Sequence, residues 1–328
     1  MNIVSFDATF YRKLKAVEDL LIPHPNFDLA VSRLRRTIEL SRNGAEPRHM
    51  LLVGESGTGK TWLAQYLSSL YLPRIDNASK ANTVIPILLV NTPSIPTLKG
   101  LAEAILIALG DPLYYRGTAS DKRQRALELL MKCEVKFIVI DEFQHFLDHG
   151  KYNSLTSVTD WLKRFIDDAN TPCLLMGLPR CEEILQANEQ LRRRFSTKLK
   201  LPVFSIDTHA GECEFRGILK QIDRSLPTEH LSGLAEIDLA RRLYFASNGL
   251  LGYLRKLITG AFELMVSENS TAINVYLLEQ AFTEVIWQEG RKMLNPFNPA
   301  FQFRRLNRIG EPFAIAAMPK KATENRAA

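Results

Sequence analysis

Residues 54–61 of this chain, Gly54-Glu55-Ser56-Gly57-Thr58-Gly59-Lys60-Thr61, match the pattern G-x-x-x-x-G-K-[ST] without a gap. The chemistry of that spacing is phosphate capture. Gly57 and Gly59 let a loop take backbone angles closed to other residues, so that successive N–H groups point inward at a phosphate. Lys60 reaches the β- and γ-phosphates, and the Thr61 hydroxyl holds Mg²⁺. Trp62, directly after, completes the nucleotide-binding stretch. Chance would produce the pattern on the order of 0.01 times in a chain of this length, so the stretch implies a bound nucleoside triphosphate with Mg²⁺.

A second pair of residues fits the same chemistry. The apolar run Val135 to Ile140 leads straight into Asp141-Glu142. An apolar strand ending in Asp141 delivers a carboxylate beside the phosphate loop, where it ligates Mg²⁺ through water. Glu142, one residue on, is placed to polarise an attacking water. Paired acids on an apolar strand favour hydrolysis over phosphoryl transfer to a small molecule.

These residues need a scaffold. Met50 to Val53 reads as a buried parallel strand, and Leu63, Ala64 and Leu67 recur at helical spacing after the loop. Further strands are expected at about 84–90, 135–140, 173–176 and 198–204, between helices at about 8–22, 26–42, 97–109, 120–133, 155–168 and 180–190. Strands alternating with helices predict an α/β fold with a five-stranded parallel sheet. Beyond about residue 206 the pattern is helical only, at about 210–224, 236–247, 250–266 and 274–289. The expected organisation is an N-terminal helical extension (1–24), a P-loop core (25–205), a small all-helical lid (206–290) and a basic tail (291–328). Asn295-Pro296-Phe297-Asn298-Pro299 interrupts regular structure, so the tail is expected to be a flexible, partner-binding arm.

Composition sets outer limits. Across 328 residues, 46% hydrophobic and 24% charged residues are ordinary for a soluble globular protein. The N-terminus lacks a signal peptide's basic start and apolar stretch, and no run has the length of a membrane span, so a cytoplasmic protein is expected. Cys133, Cys173, Cys181 and Cys213 show no C-x-x-C spacing and read as reduced structural thiols. The tail holds eight Lys/Arg against Glu311 and Glu324, which accounts for the whole net charge of +6. A basic arm on a neutral body suits an acidic partner, nucleic acid or protein, and reads equally as a solvated tail.

Other side chains are candidates for narrower roles. In Leu191-Arg192-Arg193-Arg194-Phe195, Arg193 and Arg194 are candidates for a finger that reaches a neighbouring subunit's γ-phosphate; a solvated or DNA-facing turn is the alternative. Arg255, one turn into the helix opened by Gly252-Tyr253, is placed to sense the γ-phosphate, or is an ordinary surface arginine. Lys99, Arg116, Lys122, Arg123 and Lys151 are candidate contacts to DNA phosphates, and Tyr114-Tyr115 a stacking pair or loop anchor. His145 and His149 share helical spacing without a third ligand, so no metal beyond Mg²⁺ is expected.

On Gly54–Thr61 (Walker A), Ile138 to His145 (Walker B), Pro172 to Pro179, Leu191 to Phe195 and Gly252 to Arg255, the chain resembles the AAA+ ATPases. Within them it is similar to the TnsC/TniB regulators of Tn7-like transposons. The resemblance spans roughly residues 25–290. It implies ATP-dependent homo-oligomers, rings or filaments, wrapped around double-stranded DNA without sequence preference. Such assemblies link a target-selection protein (TnsD/TniQ-like) to the transposase, and hydrolysis governs disassembly. The tail, by the same resemblance, would dock on the transposase. One residue departs from the pattern. A polar "sensor 1" residue usually ends the fourth strand, and TniB-like chains often show Thr after the Gly, but here the residue is Leu178. That role is unassigned, and hydrolysis is expected to be slow or differently organised.

Two other classes compete. A replication initiator or clamp-loader-like AAA+ protein needs a DNA-binding appendage such as a helix-turn-helix, and none is legible beyond residue 206. A signalling ATPase acting on proteins predicts activity indifferent to DNA.

Overall fold

The computed structural model describes residues 8–43, 45–75, 83–148, 152–186 and 188–314. Contacts divide the chain into two units, Pro23–Val203 and a second made of Met1–Ile22 with Phe204–Ala328.

The chain begins with α1 (Ala8–Glu18), which buries Phe10 and Val17. Proline at the first turn opens α2 (Pro25–Arg42), and a His24 ring nitrogen accepts the Phe27 N–H as its cap. Next come β1 (Met50–Gly54) and α3 (Lys60–Ser69), then a small antiparallel hairpin of β2 (Arg74–Ile75) and β3 (Thr83–Val84). The strand β4 (Ile87–Asn91) leads to α4 (Leu98–Ala108), capped by Thr97, and to α5 (Ala119–Lys132), opened by a Thr118–Asp121 capping box. The unit closes with β5 (Phe137–Asp141), α6 (His145–Asp148), α7 (Tyr152–Ala169), β6 (Cys173–Gly177), α8 (Cys181–Gln186), α9 (Glu189–Arg194) and β7 (Thr197–Leu201).

The sheet order is β4-β5-β6-β1-β7, and every pairing is parallel. All residues of β1, β5 and β6 are buried, as strands covered by helices on both faces must be. One apolar cluster, including Leu51, Ile105, Ile140, Phe165 and Leu175, holds helices and sheet together.

Several expected elements change on inspection. The apolar run 84–90 is two strands rather than one, because Pro86 has no N–H for the ladder; its carbonyl instead accepts from Lys136 and Phe137. The run 180–190 is two short helices, and Asn188 caps the second by accepting the Leu191 N–H. The arginine cluster is therefore the last turn of α9.

The second unit is helical: α10 (His209–Ser225), α11 (Ile237–Ser247), α12 (Leu251–Ser267) and α13 (Val275–Ala281), followed by a π turn at Phe282–Ile286. The segment 1–24, expected as a separate extension, contributes Val17 and Ile22 to this unit's core. The tail also departs from expectation. Phe297, Phe301 and Leu306 are buried in the same core, and Asn295 donates to the Glu279 and Gly290 carbonyls. Arg242 holds the Pro296 and Asn298 carbonyls, and Arg305 donates to the Tyr244 hydroxyl. Residues 291–314 are thus an integral layer of the helical unit and not an arm; apolar burial outweighs the local irregularity that Pro and Asn impose. Lys320, Lys321 and Arg326 lie outside the described residues. Among the described residues, no helix is long and apolar enough to cross a membrane.

Candidate nucleotide site

The phosphate loop sits between β1 and α3, at the carboxyl end of the central strands, where open α/β sheets bind ligands. Gly57 and Gly59 have φ of 81° and 95°, a left-handed backbone that suits glycine. Gly54 is needed for space: a Cβ there would lie 2.5 Å from Thr58 Oγ1 and 2.7 Å from the Leu201 carbonyl oxygen. Thr58 in turn donates to the Glu55 carbonyl at 2.8 Å and fixes the bend. Glu55, Ser56 and Thr61 are exposed on this rim, and Trp62 is half-buried behind it.

Lys60 is buried, and its ammonium donates to the Gly54 and Glu55 carbonyls at 2.8 and 3.0 Å. Burial pulls its pKa down, while the nearby charges of Asp141 and Glu142 oppose that pull. The strand β5 brings Asp141 to the same place. The Thr61 hydroxyl donates to Asp141 Oδ2 at 2.8 Å across 80 residues of sequence, and the other Asp141 oxygen accepts the Glu142 N–H at 2.8 Å. A hydroxyl and a carboxylate converging beside an ammonium-bearing loop are hard oxygen donors that fit Mg²⁺ held jointly with phosphate. Thr61 and Asp141 are the residues that would hold it.

Glu142 follows with φ of 56°, in the left-handed region that side-chain-bearing residues rarely adopt. Its carboxylate takes a hydrogen bond from the Gln144 amide, a residue the sequence reading passed over. Only its place within the acidic motif could have drawn attention to it; its other partner is far off in sequence. Among the described residues, no group of three or more His, Cys, Asp and Glu side chains could hold a metal ion, and His149 lies outside them.

The arginine run lies elsewhere in the same unit. β1 pairs in parallel with β7 from Met50 opposite Thr197 to Gly54 opposite Leu201, so α9 ends where the strands begin and the phosphate loop starts where they end. At about 3.3 Å per residue, that separation exceeds the reach of a side chain within one subunit. Arg193 and Arg194 are therefore not brought to this chain's own loop. Arg194 is bound to both oxygens of Asp167 at 2.7 and 2.8 Å, whereas Arg193 is 78% exposed and pairs with Glu189 one turn away. Both line an open cleft of about 630 Å³ with Arg48, His49, Asp167 and Thr197. His49 is buried there and accepts the Cys173 N–H at 3.1 Å; burial first, and the charge of Arg194 second, lower its pKa to about 4.

Arg255 belongs to the helical unit. Its guanidinium donates to the Leu20 carbonyl at 3.1 Å and is half-buried beside Val17 and Ile222, which lowers its pKa to about 10.

The candidate DNA cations separate sharply. Lys99 and Arg116 are exposed, with Arg116 over the Tyr115 ring at 5.7 Å. Lys122 is fully buried, paired with Glu103 at 2.9 Å and bonded to the Tyr114 carbonyl, so it is a structural cation and cannot meet a phosphate backbone. It lies on the inner face of α5, which helical spacing alone did not separate from the outer one. Arg123 is held by Asp168 and by the Arg164 carbonyl. Lys151 lies outside the described residues.

Comparison with known proteins bears on the family and the fold. A family model described as bacterial TniB protein matches residues 12–206. No curated protein matches the chain. Among solved structures, it is similar to the ORC2 protein of Aeropyrum pernix in ADPNP–ADP complexes, with 19% identity and a TM-score of 0.59 over 84% of this chain and 73% of that one. The ORC1 protein of Aeropyrum pernix in complex with DNA gives 17% identity and a TM-score of 0.61 over 84% and 70%. CDC6p of Pyrobaculum aerophilum gives 14% identity and 0.60 over 83% and 70%. At these identities the likeness shows the fold, that of AAA+ P-loop proteins: a five-stranded parallel sheet with a helical C-terminal region.

Proposed function

Because the chain belongs to the bacterial TniB family, we propose that it is an Mg²⁺-dependent ATPase that assembles on double-stranded DNA and regulates transposition. One observation carries the reading. Lys60, Thr61, Asp141 and Glu142 converge at one end of the sheet, while Arg193 and Arg194 stand at the other, out of reach of this chain's own loop, which suits a role on a neighbouring copy. A site that is complete only between subunits makes occupancy by ATP and assembly the same event.

The residues divide the work. The loop N–H groups and Lys60 grip the triphosphate; Thr61 and Asp141 would hold Mg²⁺, which would supply positive charge to offset that of the phosphates. Glu142 takes a proton from the attacking water. Arg193, the exposed member of the cluster, stabilises charge on the neighbour's γ-phosphate. Lys99 and Arg116 contact phosphates without reading sequence. The oligomer links a target-selection protein to the transposase, and hydrolysis releases it. The whole acts in the cytoplasm.

The test is sedimentation of the full chain with random duplex DNA. Assembly is expected with ATP or a non-hydrolysable analogue and not with ADP, to be lost in Lys60→Ala and to persist in Glu142→Gln. An absence of assembly under every nucleotide would overturn the reading.

A further inference from the structure

Leu178 stands where a polar residue was expected to end the fourth core strand, β6, and it offers the site only its backbone. We propose that Gln144 takes over that task as the positioning residue for the Glu142 carboxylate, tying the water-polarising group to the end of β6. The inference rests on the reading of Glu142 given above.

Three observations converge on Gln144. Its side chain is 3% exposed, so it has no solvent to exchange with. Its Oε1 accepts the Leu178 N–H at 3.1 Å. That donor decides which way the amide faces, since a backbone N–H must meet oxygen and not NH₂. The NH₂ then necessarily faces Glu142, to whose Oε2 it donates. Both ends of the amide are matched in one orientation, and the flipped amide would match neither.

The cradle around the amide oxygen is built for it. A Cβ on Gly177 would lie 2.4 Å from Gln144 Oε1 and 2.4 Å from Cys181 Sγ. The Cys181 thiol, 3.8 Å from Oε1, stays protonated because burial pushes its pKa up to about 12. It thus meets the oxygen as a weak donor and not as a competing anion. The main chain adds a fixed frame: the Phe143 N–H donates to the Met176 carbonyl at 3.0 Å, so the segment carrying Gln144 is laced to β6.

The consequence for chemistry follows from the geometry of a carboxylate. With Oε2 engaged by the amide, Oε1 is the oxygen left to take a water proton.

The test is a double-mutant cycle on the full chain, read as single-turnover ATP hydrolysis and as nucleotide affinity, with thermal melting as the fold control. Gln144→Met keeps the length and removes both polar contacts; Gln144→Glu keeps the acceptor for Leu178 and replaces the donor by a repelling carboxylate. Each is expected to lower the hydrolysis rate about 10- to 100-fold with affinity within about 2-fold of the parent, the range for losing a hydrogen bond to a charged group. In a Glu142→Gln background, Gln144→Met should change the rate less than about 2-fold, because a residue acting through Glu142 has nothing left to act on. Parental or raised hydrolysis in Gln144→Met, or an equal loss in both backgrounds, overturns the inference while leaving the ATPase reading intact. Parental hydrolysis in Glu142→Gln itself overturns the assignment of Glu142, and this inference with it.

Discussion

Glu142 adopts a backbone conformation that costs a residue with a side chain about 1–3 kcal/mol, and it does so one position after Asp141, the acid bonded to the Thr61 hydroxyl. Such strain persists where surrounding contacts over-determine it: Glu142 N–H on Asp141, the laced Phe143 and the Gln144 amide. Glu142→Gln should lower ATP hydrolysis about 10²- to 10⁴-fold with nucleotide binding retained, measured by phosphate release beside equilibrium binding. The buried Lys60 differs in kind, since Lys60→Ala should remove binding itself. His49 makes a pH prediction. Neutral in the fold down to about pH 4 and free to protonate near 6.5 when unfolded, it makes the unfolded chain bind more protons on acidification. Its contribution is therefore fully present above pH 6.5 and declines below it, by about 2 kcal/mol between pH 7.5 and 5. Urea unfolding at the two pH values should show that loss, and His49→Gln, which keeps an acceptor for Cys173, should show less of it. Contiguous motif residues were legible in the sequence because eight neighbours carry one function. Gln144 was not, because its meaning depends on a strand end 34 positions away.

At the scale of elements, hydrophobic runs located the strands of the sheet well, since parallel strands buried on both faces leave an unbroken apolar signal. What they could not show is which helical face turns inward. Lys122 shares a helix with Arg123 and reads alike from composition, yet it is sealed against Glu103. Lys122→Met should cost about 3 kcal/mol of stability by leaving that carboxylate without its cation, with DNA affinity per folded molecule unchanged. Binding across a salt series separates it from Lys99→Ala, which should reduce the salt slope. Gly177 and α9 supply two further tests. Gly177→Ala forces a methyl into the Gln144 amide, so its hydrolysis should fall as in Gln144→Met. For α9, the register of β1 with β7 keeps the arginines away from this subunit's own loop, so under the proposed function they would act between subunits. Arg193→Ala, which loses only an exposed pair worth about 0.3–0.5 kcal/mol, should leave melting unchanged and lower hydrolysis on the order of 10³-fold. Mixed with Lys60→Ala, which has the arginine but no working loop, it should recover activity at the interfaces where one subunit lends each half.

At the scale of the whole molecule, the chain's two ends enter one unit. α1 and the segment 291–314 both pack into the helical core with Phe215, Leu254 and Phe282, and each unit has a core of its own. The sequence could not reveal this, because Pro and Asn break the periodicity that marks core positions in a regular element. Phe297, Phe301 and Phe303 interleaved with arginines read instead as a ligand for another protein. The two readings make opposite predictions for one substitution. Phe301 is 4% exposed and meets the Phe245 and Phe303 rings edge-on at 5.9 and 5.8 Å. As a core residue, Phe301→Ala should destabilise the helical unit by about 3–5 kcal/mol. Arg308→Ala, on an exposed side chain of the same segment, should stay within about 0.5 kcal/mol of the parent. As a docking arm, Phe301→Ala would leave denaturant unfolding untouched and weaken only partner binding. Unfolding curves of the two variants decide between them, and an unshifted midpoint for Phe301→Ala would return the segment to the role its composition suggested.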